Sequence, residues 1–259
     1  MRQPHHDRQP AADGRLSGSQ RTLRKGLSGI PIRRYAAQRP SSGTGLGQLR
    51  AFTPGPIVAT MGDMAAPQKQ AAYTTRALAT ETWDDFAALV EANNGVWGGC
   101  WCMGFHPEGL NEQSAEANRD NKRAHVRRGT VRQVLVYDGD ACVGWCQYGT
   151  PAELPGIKNP TAYDKELREL PDWRIGCIFT GKGHRRSGVA RAAVTGALEA
   201  IADAGGGVVE AYPEQVEDRR PQQGAYFHTG PESLFEELGF ERDRRIAKWR
   251  WVMRRDVRP

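Results

Sequence analysis

The feature that most constrains this chain is a strand that passes through a glycine- and arginine-rich turn straight into a helix. Trp173–Thr180 reads as a strand, and Gly181-Lys182-Gly183-His184-Arg185-Arg186-Ser187-Gly188 is the turn. From Gly188 to about Ala204 the residues Ala190, Val194, Ala197, Leu198 and Ile201 share one stripe at helical spacing. Gly205-Gly206-Gly207 ends that helix, and Val208–Tyr212 reads as the next strand. The result is a β-helix-β crossover, which belongs to a sheet and not to a helical bundle. The first amides of a helix have no intrahelical acceptor, and the helix dipole adds positive character there. Arginines beside such a terminus make an anion site, and its shape suits a pyrophosphate. Gly188 lets backbone approach a ligand closely, and Ala190 leaves room in the first turn. Gly181-Lys182-Gly183 lacks the spacing of a Walker loop, and no Gly-x-Gly-x-x-Gly dinucleotide fingerprint is present in the turn.

The flanking sequence supplies the remaining sheet. Ala71–Ala79 reads as a strand, and Thr82-x-x-Asp85 as a near capping box for a helix burying Trp83, Phe86, Ala87 and Val90. Gly95–Phe105 is an irregular aromatic and cysteine-rich loop, followed by a mostly polar, exposed helix over Asn111–Arg128. Arg132–Tyr137 and Ala141–Tyr148 flank Asp138-Gly139-Asp140, a hairpin signal. Pro151–Leu170 is an insert without assigned structure. Pro231–Leu238 is a short helix stopped by Gly239. Phe240–Ile246 and Lys248–Met253 are strands, with Trp249, Trp251 and Met253 alternating in the second. The predicted class is α+β, a mixed and mostly antiparallel sheet flanked by helices.

Charge divides the chain in two. The first 60 residues carry ten Lys or Arg against two Asp or Glu, while the rest carries 26 against 28. All seven Trp and all five Cys lie beyond residue 80. A segment so poor in apolar side chains cannot offset its backbone entropy. Residues 1–70 are therefore expected to be a disordered basic tail, and 71–259 the folded domain. The tail reads as a polyanion-binding arm, an organelle transit peptide, or an extension upstream of Met61 or Met64. The extension is preferred, because no aromatic-basic interleaving or amphipathic stripe supports the others. The domain itself is close to neutral, so its charge does not argue for nucleic acid. No apolar run is long enough to span a membrane or act as an export signal, and five thiols suit a reducing cytoplasm.

Arg185-x-x-Gly188-x-Ala190, set between a strand and an amphipathic helix, resembles the acetyl-CoA signature of the GNAT superfamily of N-acetyltransferases. Phe235-Glu-Glu-Leu-Gly239-Phe240 resembles that family's C-terminal helix ending in Gly-Phe, and the order of elements from about Ala72 to Arg255 agrees. The resemblance implies acetyl transfer from acetyl-CoA to a small-molecule or peptide amine, with no resident metal. No nucleic acid or membrane is required, and a homodimer is an admissible assembly. It further implies that backbone amides of Arg185, Arg186, Ser187, Gly188, Val189 and Ala190 hold the pyrophosphate, with charge from Arg185, Arg186 and Arg191. Phe179 and Thr180 would pair with the pantetheine arm, and an amide near Ile178 would face the thioester carbonyl. Glu210, on the second strand of the slot, is the candidate base, and Tyr226 or His228, just ahead of the C-terminal helix, the candidate acid. The family often has a Tyr where this chain has Phe235, whose ring would face the slot. The alternative is a catalytically silent acyl-CoA-binding sensor or scaffold of the same fold.

Cys100, Cys102 and His106, with Cys142 or Cys146, suggest zinc, but Cys-x-Cys departs from the usual spacing. No metal is expected from that set. Trp97, Trp101, Met103 and Phe105 read either as an apolar wall for the acceptor or as packing beneath the sheet.

Overall fold

The computed structural model describes residues 73–96, 98–111, 114–216 and 227–259. The expected tail, residues 1–70, lies outside them. Among the described residues no helix is long and apolar enough to cross a membrane.

Seven strands form one sheet: β1 (Thr74–Ala77), β2 (Gln133–Asp138), β3 (Ala141–Gly149), β4 (Trp173–Thr180), β5 (Gly207–Ala211), β6 (Glu241–Ala247) and β7 (Arg250–Val257). Their spatial order is β1-β2-β3-β4-β5-β7-β6, and only the β4–β5 pair is parallel. This is the mixed, mostly antiparallel sheet with one crossover that the sequence implies. The crossover helix, α4 (Val189–Asp203), lies on one face, where Val194, Ala197 and Ile201 pack with Val136, Ile175, Val209 and Met253. The opposite face is covered in two parts. Over β2–β4 lie α1 (Trp83–Ala92), the aromatic loop and the end of α2 (Ala115–Arg127), burying Phe86, Trp101, Met103, Val126 and Trp145. Over β5–β7 lies α3 (Pro160–Lys165), with Tyr163 packed against Tyr212, Ile246 and Val252. The last helix, α5 (Glu232–Glu237), places Leu234 and Phe235 in the α4-side core.

Four local expectations are corrected. Thr82 precedes α1 but makes no capping bond to it. Its hydroxyl instead accepts from the Ala79 amide at 2.9 Å and donates to the Ala77 carbonyl at 2.8 Å, closing the turn from β1. The insert contains α3, started by Pro160 after a left-handed Asn159. The first strand is shorter than expected, and the last runs on to Val257. The alternation expected in that strand is kept: Trp251 and Met253 face the α4 side and Val252 the α3 side, so Val252 and Met253 are buried on opposite faces while Trp251 is half-exposed under Arg242 and Arg245.

One irregularity positions the site. Ile178 of β4 faces Cys146 of β3, whereas Ile175 faces Tyr148, so β4 carries one extra residue across that interval. Such a bulge bends its strand. The parallel pairing to β5 is confined to Trp173↔Val209 and Arg174↔Glu210. Beyond Arg174 the two strands part, leaving the inner edge of β4 without a strand partner.

Candidate functional site

The turn expected to bind an anion has the required backbone. Gly188 caps α4 at φ 95°, ψ −1°, a left-handed geometry natural to glycine. The first helical bond runs from the Ala192 amide to the Gly188 carbonyl, so the amides of Val189, Ala190 and Arg191 precede the ladder. Arg186 is itself left-handed at φ 62°. The turn is pinned at both ends. The Lys182 amide donates to Asn93 Oδ1 at 3.2 Å, and the Tyr73 hydroxyl donates to Ser187 Oγ at 2.9 Å. Arg185, Arg186 and Ser187 are exposed, and neither arginine has an ion pair or hydrogen bond among the described residues. Arg191 differs, since its guanidinium is engaged by Glu237 of α5. Of the three arginines expected to supply charge to a phosphate, Arg185 and Arg186 are thus the ones left available.

From this turn β4 leads back into the gap between the parted strands. The Gly181 amide donates to β3, at Val143, and the Ile178 amide points the other way, into the gap. Alternation puts the Thr180 amide on the gap side with it. Phe179 is packed inward, stacked on Trp145 at 4.4 Å between centroids. The Ile178 amide is not vacant: it donates to the His228 carbonyl at 2.6 Å. The His228 ring lies 6.0 Å from that of Phe105, and Phe105 in turn packs on Gly176, at the bulge. Residues 227–230 therefore occupy the end of the gap next to the bulge. Sequence reasoning missed this contact, because it depends on where a long connection returns.

Two other expectations change. Glu210 is fully buried, and both its oxygens are engaged. Oε2 accepts from the hydroxyls of Tyr163 at 2.7 Å and Tyr212 at 2.9 Å, and Oε1 from Arg254 Nε at 3.0 Å, with Arg244 Nη1 at 3.5 Å. Arg174 Nη2 donates to the Tyr163 hydroxyl at 3.3 Å, which extends the network. Burial first, then Glu210, push the phenols of Tyr163 and Tyr212 upward. The carboxylate is held by two arginines and two phenols, and it faces α3. Glu210 is the anchor of a buried polar cluster. Phe235 is likewise fully buried, edge-on to Phe240 at 5.2 Å, and does not line the gap as expected. Tyr226 and Trp97 lie outside the described residues. Trp101, stacked on Trp83 at 5.9 Å, and Met103 are core packing, and among the described residues of that group Phe105 alone borders the gap.

No family model matches the sequence, and neither does any curated protein. The fold has counterparts among solved structures. The chain resembles GNAT-family acetyltransferases. A GNAT-family acetyltransferase from Bacillus cereus is 9% identical, with 71% of this chain and 96% of that one covered and a TM-score of 0.41. The PaiA N-acetyltransferase of Thermoplasma acidophilum, solved with coenzyme A, is 10% identical, covering 71% and 99% at a TM-score of 0.43. An N-acetyltransferase from Staphylococcus aureus is 12% identical, covering 72% and 99% at 0.42.

Proposed function

We propose that this chain binds acetyl-CoA and transfers its acetyl group to an amine. The observation that carries the reading is the conjunction of a parted parallel strand pair with a glycine-capped helix start at the mouth of the gap. The helix start offers unpaired amides and two uncommitted arginines to a diphosphate, beside an open strand edge for an amide-bearing arm. Anion and arm would then lie in a fixed order along one strand. In the reaction the amine nitrogen forms a bond to the thioester carbon, the carbon–sulfur bond breaks, and the amine loses a proton. The Ile178 amide is aimed to stabilise the oxyanion once the His228 carbonyl gives it up. With Glu210 committed to its cluster, the His228 imidazole is the titratable group at the bulge best placed to take the amine proton. Release of free CoA thiol across a panel of small-molecule and peptide amines tests this. Acetyl-CoA that binds but is never turned over by any amine would contradict it.

A second reading, an acyl-CoA-binding module without turnover, is favoured by two details. Position 235 offers no hydroxyl, and the Ile178 amide is already paired. It requires tight binding with no CoA released, in the same assay.

A further inference from the structure

We infer that residues 227–231 form an autoinhibitory strap, a piece of this chain's own backbone that stands where the reactive end of an acyl-CoA would lie. The inference rests on the acetyl-CoA reading above and concerns what must give way before that ligand seats fully. β4 and β5 stop pairing after Arg174↔Glu210. At Ile178 the edge that β5 has left is taken by the strap, whose His228 carbonyl accepts from the Ile178 amide at 2.6 Å. On its other side the strap meets the chain that continues from β5. The Gly230 carbonyl accepts from the Glu214 amide at 3.0 Å, and the Glu214 carbonyl from the Glu232 amide at 3.1 Å. Glu214 and Pro231 form a parallel bridge. Residues 228–231 thus act as a substitute strand, closing a sheet edge that would otherwise leave backbone groups unpaired.

Side chains lock the strap in place. Arg250 is buried, and its Nη1 donates to Thr229 Oγ1 at 3.1 Å and to the Tyr212 carbonyl at 2.8 Å, while Nη2 pairs with Glu214. Thr229 is itself buried, and the Gly230 amide turns back to the Phe227 carbonyl at 2.9 Å. Gly230 has φ 77° and stands so near β4 that a Cβ would lie 3.2 Å from Ile178 Cδ1.

Occupancy of the amide is exclusive. An N–H makes one good hydrogen bond, so Ile178 cannot hold the His228 carbonyl and a thioester carbonyl together. The turn at 181–188 takes no part in these contacts among the described residues. An acyl-CoA can therefore dock its diphosphate with the strap closed, but its acyl end seats only when the His228 peptide turns away. A strap closed ~90% of the time lowers the apparent affinity of the seated complex ~10-fold. Freeing the amide needs only a local shift of that peptide, so the His228 imidazole stays at the bulge.

The test uses the full chain and two loosened forms, Thr229→Val and Thr229→Val with Pro231→Gly. Valine keeps the shape of threonine and leaves Arg250 Nη1 its bond to Tyr212, and glycine frees the backbone where α5 begins. Amide exchange at Ile178, read by NMR without ligand, should be slow in the parent and quicken from the single to the double variant. By calorimetry, acetyl-CoA affinity should rise at least ~3-fold in the double variant, while that of CoA, which presents no thioester carbonyl, stays within ~2-fold. Exchange that is fast in the parent, or indifferent to both variants, would overturn the strap. So would acetyl-CoA affinity that is unchanged or weaker once Ile178 exchanges faster. No binding of CoA or acetyl-CoA by any of the three proteins would instead overturn the acetyl-CoA reading, and the strap's role with it. Should the double variant fail to fold, the single variant alone decides.

Discussion

Phe235→Tyr separates two geometries of the C-terminal motif. If the ring faced the gap, a hydroxyl would be tolerated and would offer a proton to a departing thiolate. The structure gives the opposite expectation. The ring has no exposed surface, meets Phe240 edge-on, and lies so close to Gly230 that a Cβ there would sit 3.0 Å from Cε2. The backbone cannot easily yield, because the Phe235 carbonyl accepts from the Leu238 and Phe240 amides at 3.0 and 2.9 Å. Burying an unpartnered hydroxyl costs ~1–3 kcal/mol and overpacking a further ~1–3 kcal/mol, so ~2–6 kcal/mol is expected in all. At ~2–4 °C per kcal/mol for a domain of this size, the melting temperature should fall by roughly 4–24 °C. Urea unfolding and thermal melting of the purified variant read this directly. A variant that melts within ~2 °C of the parent and turns over faster would refute the packing argument, since so small a shift is under ~1 kcal/mol.

Lys122→Met should stabilise the protein by ~1–3 kcal/mol, since the buried Nζ has no hydrogen-bond partner and burial pulls its pKa below the ordinary value. The unfolded chain keeps the Lys122 proton up to its ordinary 10.5 while the folded one releases it earlier, so parental stability gains on the variant as pH rises toward 10.5. A gap in urea midpoints that stays constant from pH 7 to about 10 would contradict that sign, because linkage demands a slope. Glu210→Gln should cost ~3–5 kcal/mol by leaving Arg244 and Arg254 facing a neutral amide. Native stability with turnover lost instead would restore Glu210 as a base.

The strand-turn-helix was legible because glycine and arginine at a helix start have few other uses, and the hairpin because Asp138-Gly139-Asp140 has left-handed geometry at its centre, Gly139 at φ 59°. The buried face of α2 was not legible. Asn118, Lys122 and Val126 line it, and apolar periodicity cannot see a polar buried stripe. The extra residue in β4 left no sequence mark either, because Ile175, Cys177, Ile178 and Phe179 are apolar in either register. Yet that bulge parts β4 from β5. The anion turn could thus be read from composition, whereas the Ile178–His228 contact and the cluster around Glu210 exist only once distant segments meet.

Calorimetric titration of acetyl-CoA into the full chain and into Gly188→Glu tests the central claim most directly. Gly188 stands at the helix start with open space around it, a substituent's first neighbour being Tyr73 at 3.9 Å. A glutamate there places negative charge where a diphosphate would sit, and its φ of 95° adds strain confined to the turn. The account predicts saturable binding by the parent and at least a ~100-fold loss in the variant, equivalent to ~2.7 kcal/mol, with an unchanged far-UV dichroism spectrum. Equal affinity in both proteins, or no heat from the parent, would contradict it.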